Sequence, residues 1–457
     1  MSNIVVMGIF SIVAITIVLL MSKFERRKML IIMLGATLSV VLAWLLFLPE
    51  FGYSQMFDFH IITHQYISWD ILLIVFGMSL LVATLETTGV FDWITLKVIK
   101  FSVKVSRGQF TQIPTALLLL TFLLTFFMSA ILDNVTAILL ISSITVSTCR
   151  GLRINPKPLI LGQIFATTLA GISTLISSLP AIMIGDAAGL TFFDFIFINT
   201  LFLLIAVPLS LVYFFRVFKN DLIPSEEDIL DITFLLELDE WSVVENKRKF
   251  NFSIIILLLT VIGFVIAEQV HIPIGWVAII GGVAALVFTK TNVDIILPEM
   301  HWDTMIFFIA LFVLVGTLNT SGVLLVIAEV IIGFAQDNIL FIVIELLFGA
   351  AMLDAIVANI PLTAALLPVV SNLTTSQPPE FSNLLWMILL YATAFGSAFT
   401  PIGSVTSVIG VKILKEEEYP VSFVAFGKLM APLAVILLIL GFGYLLGLQI
   451  IGYLPLF

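Results

Sequence analysis

The chain carries one apolar run after another, each long enough to cross a lipid bilayer. The first, IVVMGIFSIVAITIVLLMS, extends from Ile4 to Ser22; the hydrocarbon core takes about 20 such residues in helical form. Of the 457 residues, 61% are hydrophobic and only 11% charged, against roughly half and a quarter in a soluble domain. Lipid offers backbone amides no hydrogen bonds, so a chain of this kind crosses it as helices. The expected class is an all-α polytopic membrane protein. The Ile4–Ser22 run lacks the basic leader and small-residue cleavage site of a signal peptide, so it is expected to be a retained span. A single cysteine, Cys149, leaves no intrachain disulfide and no cysteine metal cluster. The net charge of −10 comes largely from one central loop, and nothing in it points to nucleic acid.

Basic residues orient the chain. Lys23 to Lys28, the stretch from Lys97 to Arg107, CRGLRINPK (Cys149–Lys157), and the two flanks of the central loop hold most of the Lys and Arg. The connections 50–68, 185–194, 268–272, 324–338 and 372–383 hold none. Basic loops remain in the cytoplasm, and about ten to twelve spans can be threaded so that every Lys and Arg lies there. Residues 112–149 then enter and leave on the cytoplasmic side, as a re-entrant hairpin or a pair of spans. Residues 338–371 enter and leave from outside.

The halves repeat. WDILLIVFGMSLLVATLETTGV (Trp69–Val90) matches WDTMIFFIALFVLVGTLNTSGV (Trp302–Val323) without a gap; SAILDNVT (Ser129–Thr136) aligns with DAIVANIP (Asp354–Pro361), and TLISSLPAI (Thr174–Ile182) with TPIGSVTSV (Thr400–Val408). In the threading the first copy runs inward and the second outward, so the fold is expected to consist of two inverted-topology repeats, each with a re-entrant hairpin and a broken helix. This is the architecture of secondary transporters. The implied division is an N-terminal span and basic loop at 1–28, the first repeat at 29–215, a cytoplasmic linker at 216–251, and the second repeat with its leading span at 252–457.

Polar interruptions fall at matched places. The hairpins contain Ser129, Asp133, Asn134 and Thr136 in one half, and Asp354, Asn359 and Pro361 in the other. The broken helices read GISTLISSLP (Gly171–Pro180) and GSAFTPIGSVTS (Gly396–Ser407). Gly, Ser, Thr and Pro are what a helix break in a bilayer requires, and half-helix ends offer carbonyls to cations and N–H groups to anions. The same residue types also serve plain helix packing. An intramembrane carboxylate such as Asp133 marks ion or proton pathways, and no Lys, Arg or His shares its depth in the threading. Its partner is therefore expected to be a mobile cation or a proton. Asp354 is the second such acid. Glu86, whose repeat mate is Asn319, and Glu345 are weaker candidates. His60 and His64 have i,i+4 spacing but no catalytic glutamate. The central loop has no phosphate-binding glycine loop, which argues against an ATP-driven pump.

These motifs resemble the ion-transporter superfamily, in particular the arsenite permease (ArsB-type), NhaD-type antiporter and P-protein group, which is related to dicarboxylate/sodium symporters. The resemblance covers about residues 30 to 450. It implies ion and substrate sites at hairpin tips and neighbouring helix breaks, and a dimer whose scaffold stays fixed while a transport part moves. Carried over by motif, it points to Asp133, Asn134, Thr136, Thr174 and Ser177, then Asn359, Thr400 and Gly403. The residues add Ser129, Gly171, Ser178, Asp354, Gly396 and Ser404. A sodium ion would fall to Asp133, Asn134 and Asn359. The chain departs from the family pattern in two places. Ala358-Asn359 replaces the second Asp-Asn, with Asp354 a turn earlier, and TLISSLPA lacks the usual final Asn.

The expected function is proton- or sodium-coupled secondary transport of a small inorganic ion, with arsenite/antimonite-type efflux first. Sodium/proton antiport and sodium-coupled carboxylate or anion transport follow. A channel or an intramembrane enzyme with an Asp133–Asp354 dyad is the other class; enzymatic activity is not expected. No cofactor is expected beyond the coupling ion. The partners are a small ion or anion, the lipid bilayer and a second copy in a homodimer. The location is the plasma membrane of a prokaryote, with the central loop cytoplasmic.

Overall fold

The computed structural model describes residues 28–46, 62–106, 112–222, 239–300, 302–322, 338–357, 359–376 and 381–452, with scattered positions elsewhere. Most of the Ile4–Ser22 run, His60 and most of the central loop lie outside the described residues. The described elements are helices: α1 (Lys28–Leu46), a π-helical turn (Ile62–Tyr66), α2 (Trp69–Glu86), α3 (Val90–Val105), α4 (Ile113–Ile131), α5 (Asn134–Leu152), α6 (Lys157–Ala170), α7 (Leu179–Ala188), α8 (Phe192–Val217), α9 (Lys247–Gln269), α10 (Ile274–Thr289), α11 (Val293–Glu299), α12 (Trp302–Thr320), α13 (Ile339–Val357), α14 (Asn359–Ser376), α15 (Ser382–Gly396), α16 (Val405–Glu416) and α17 (Phe423–Ile450). Eight described helices are long and apolar enough to cross a membrane, and four shorter apolar helices accompany them.

Local chemistry sets the boundaries. Asp133 and Ser178 cap α5 and α7, and Thr191 and Asp194 form a reciprocal capping box at the start of α8. Gly89 ends the first WD block with φ 73°, and its repeat mate Gly322 has φ 80°. A side chain at Gly89 would also meet Val243 O at 2.2 Å. The matched glycines therefore serve one left-handed turn used twice. Helices α2 and α10 cross closely, because a Cβ on Gly77 would lie 2.3 Å from the Ala278 carbonyl carbon.

Packing repeats as the sequence does. Hairpin α4–α5 precedes broken helix α6–α7 in one half; α13–α14 precedes α15–α16 in the other. Helix α4 packs on α6, and α13 on α15. Across the halves, α5 packs on α16 and α7 on α14. The long helices that follow, α8 and α17, pack on each other and each holds an internal proline, Pro208 and Pro432.

The connections sort as the basic residues do. Lys100 pairs with Glu240 at 2.7 Å, Arg150 Nη2 contacts Glu417 Oε1 at 2.7 Å, and Asn155 donates to Asp221 at 3.0 Å. The connections without Lys or Arg meet one another instead. Ser68 donates to Asp186 at 3.0 Å, Tyr66 shares a hydrogen bond with Thr320 at 2.8 Å, and the Gly275 N–H donates to Asp70 at 3.0 Å.

Candidate functional site

Asp133 sits where the first hairpin turns. Its backbone is extended, and α5 starts at the next residue. Oδ1 accepts from the N–H groups of Val135 (2.9 Å) and Thr136 (3.0 Å), and Oδ2 accepts from Thr136 Oγ1 at 2.5 Å. The carboxylate is thus an N-cap, held by its own helix's unpaired N–H groups and by the positive end of the helix dipole. The basic-residue threading left it without a fixed cationic partner; its hydrogen-bond partners are two backbone N–H groups and the Thr136 hydroxyl. Thr136 serves that cap. Ser129, one turn back and fully buried, donates to Asn134 Oδ1 and fixes the amide.

The broken helices lock onto the hairpins in the same way twice. Thr174 Oγ1 donates to Ala130 O at 2.7 Å, and its mate Thr400 Oγ1 donates to Ala355 O at 2.5 Å. In the second half the Asn359 N–H also donates to Gly403 O at 3.1 Å. Helix α7 restarts at the Ser178 cap, whose hydroxyl accepts from the Ala181 N–H and donates to Gly171 O. Helix α16 restarts at the Ser404 cap, whose hydroxyl accepts from the Ser407 N–H at 3.1 Å.

These restarts enclose a pocket of about 640 Å³, open solvent at its mouth included. Its walls come in register pairs across the repeat: Asn134 with Asn359, Val135 with Ile360, Thr168 with Ala394, Gly171 with Ser397, and Ser178, Leu179 and Pro180 with Ser404, Val405 and Thr406. Asp133, Leu390 and Thr393 complete the lining. The N-terminal residues of α5, α7, α14 and α16 all face this space. Asp133 is the sole charged residue among the lining side chains.

Of the residues expected from sequence, Asp133, Asn134, Gly171, Ser178, Asn359 and Ser404 meet at the pocket. Ser129, Thr136, Thr174, Ser177, Asp354, Gly396, Thr400 and Gly403 do not line it. Ser177 donates to Thr174 O at 2.6 Å. Gly396 and Gly403 serve close approach, because a Cβ on the first would meet Ala351 O at 2.5 Å and on the second Ser397 O at 2.4 Å. Sequence reasoning missed Thr168, Thr393, Ser397 and Thr406. Pairing the quoted break residue by residue with the first half, in the Thr174–Thr400 register, would have found Ser397 opposite Gly171 and Thr406 opposite Pro180.

Asp354 is fully buried on α13, and neither carboxyl oxygen has a hydrogen-bond partner among the described residues. No cluster of three or more His, Cys, Asp or Glu forms a metal site among the described residues. Asp133, Asn134 and Asn359, the donor set suggested for sodium, all line the pocket. Glu86 is an exposed helix end, Glu345 is half-buried, and His64 is exposed beside Thr63.

Residues 12–394 match the CitMHS family, described as citrate transporter. The chain belongs to that family. A 46 kDa membrane protein of Mycobacterium leprae is 28% identical over 423 residues, covering 92% of this chain and 94% of that protein. The human P protein is 28% identical over 466 residues, covering 84% of this chain and 54% of its own length. Among solved structures, the YdaH transporter of Alcanivorax borkumensis, described as having an unusual topology, matches with a TM-score of 0.61 over 99% of both chains. Its identity is 13%, so the likeness is one of fold. The family and these relatives agree with the superfamily resemblance read from the motifs. The protein is a multi-pass membrane transporter and not an enzyme.

Proposed function

We propose that the protein is a cation- or proton-coupled secondary transporter of a small anion, with a carboxylate ahead of a metalloid oxyanion. One observation carries this: four helix N-termini face a single pocket that contains no Lys, Arg or His. Such ends attract anions through the helix dipole and through the N–H groups that the Asp133, Ser178 and Ser404 caps and Gly403 O leave over. Arsenite is uncharged at neutral pH and would gain little from that field, which reverses the order expected from sequence. The family's description as citrate transporter favours the same order.

The two tips then divide the work. At the first, Asp133 already occupies the positive end of α5 and supplies a negative charge beside Asn134, which suits a coupling sodium ion or proton. At the second, the sequence has Ala358 in place of the acid, so no carboxylate from that position competes with an anion at the start of α14, beside Asn359 and Ser404. In this arrangement residues 29–215 and 252–457 are inverted repeats joined by the linker 216–251 on the cytoplasmic side, and two copies form a homodimer.

The test is uptake into proteoliposomes of radiolabelled citrate, succinate and arsenite under imposed sodium and proton gradients. Saturable carboxylate accumulation that needs a gradient is expected. Arsenite transport without carboxylate transport would reverse the order again, and unsaturable conductance would mean a channel. Asp133→Asn keeps the cap but not the charge. It is expected to lose gradient-driven accumulation while retaining exchange; a wild-type gradient response would make Asp133 structural.

A further inference from the structure

Asp354 stands apart from the pocket yet cannot be explained as packing. It is 0% exposed, lies outside the lining, and has two unpartnered carboxyl oxygens among the described residues. Its repeat mate, Ser129, is equally buried but donates to the hairpin asparagine. The register is secure, because the neighbouring carbonyls of Ala130 and Ala355 receive the matched threonines. The second half has therefore placed an acid where the first has a satisfied hydroxyl.

The surroundings decide its charge. Helices α14 and α15 pack on α13 and bring no Asp, Glu, Lys, Arg or His. Tyr391 of α15 is their one titratable group, and its hydroxyl donates to Asn199 at 3.0 Å. On α13 itself the other acid is Glu345, two and a half turns away at 3.6 residues per turn. An ionised carboxylate without a hydrogen bond or counter-charge is strongly disfavoured in such a place. No cluster of three or more His, Cys, Asp or Glu surrounds it among the described residues, which gives a metal ion no carboxylate, imidazole or thiolate set to join. A proton fits.

We propose that Asp354 is a second coupling site, one that carries a proton. In this conformation the acid is neutral. When the second hairpin shifts against the 397–404 break and admits water, the O–H bond breaks, the proton passes to water and the carboxylate remains, solvated. Asp133 is bonded to the α5 N-terminus and lines the pocket, whereas Asp354 does not line it, so the two acids are not a dyad.

This role belongs to the coupled transport proposed above, but its readout requires no substrate. Infrared spectra of the purified full-length protein at neutral pH report protonated carboxyl groups through their C=O stretch. A band is expected that disappears in Asp354→Asn and in Asp354→Ser, persists in Asp133→Asn, and shifts promptly when water is replaced by D2O. Three results overturn the proposal: no protonated-carboxyl band in the wild type, a band unchanged in Asp354→Asn, or a wild-type band that resists deuterium exchange. The wild-type measurements stand even if a variant fails to fold. Failure of the flux screen with citrate, succinate and arsenite would refute the transporter proposal without altering these spectra.

Discussion

The two hairpin tips began as the same motif and now differ in where they keep their acid. In the first, Asp133 lies at the turn, half-buried, with three hydrogen bonds from the start of α5. In the second, Asp354 lies one turn back, buried and without a partner among the described residues. A helix N-terminus favours a carboxylate, and packed apolar helices disfavour one. Duplication supplied two equivalent positions, and moving one acid by a turn makes them chemically unequal while the backbone contacts stay alike.

The largest effect should come from the helix break of the second half. Gly396 has Ala351 O where its Cβ would stand, whereas its register mate in the first half is Ala170. Gly396→Leu should abolish folding. Gly396→Ala should cost about 1–3 kcal/mol by overpacking, read as a lower thermal midpoint in detergent. Gly171→Ala, whose Cβ would have 3.3 Å to its nearest atom, should lose less than about 1 kcal/mol. Equal losses would mean that the two breaks are not packed differently.

Next comes the charge at the tips. Ala358→Asp restores the missing acid and should weaken citrate binding about tenfold, roughly 1.4 kcal/mol, in a citrate-dependent thermal-shift titration. Unchanged affinity would remove the assignment of the anion to the second tip. Asp133→Ala should cost about 1 kcal/mol as a lost cap, and Asp133→Asn only a fraction of that. A smaller loss in the alanine variant than in the asparagine variant would contradict the capping role.

The smallest effect concerns pH at the linker. The Lys100 ammonium bonded to Glu240 holds that carboxyl below its usual range. A lowered acid stabilises the folded form at pH values above its ordinary titration range, and that contribution disappears as pH falls through the depressed value. The pair is solvent-accessible, so its effect should be slight and should fade with salt. Thermal midpoints of wild type and Lys100→Met between neutral and acid pH should converge on acidification; a gap that widens would contradict the pairing.

Much of the fold was legible because membrane helices are written in hydropathy and because the repeat is aligned without gaps. The breaks and hairpin tips were legible for the same reason, since Gly, Ser and Pro at matched places stand out from an apolar background. Thr168, Thr393, Ser397 and Thr406 were not, because a hydroxyl inside a helix looks the same whether it faces a pocket or returns its hydrogen bond to the preceding turn. Thr393 does the latter as well, donating to Leu389 O. Asp133 was noticed, but the backbone N–H groups that cap it were not. Counting basic side chains cannot detect backbone N–H groups, although an Asp directly before a helical run is itself a cap signal. For Asp354 the sequence showed a displaced acid; only packing shows that its carboxyl oxygens have no hydrogen-bond partner among the described residues.

Synthesis on the ribosome gives the cross-packing of α5 on α16 and of α7 on α14 a history. The first hairpin and the first broken helix emerge well before the helices that cover them. Until α14 and α16 are inserted, the capped ends at Asp133 and Ser178 face lipid or a translocation partner instead of the opposite repeat. The pocket is therefore completed only after insertion of the second half. A chain truncated within α15 would display an unshielded polar hairpin, the kind of defect that membrane quality control removes.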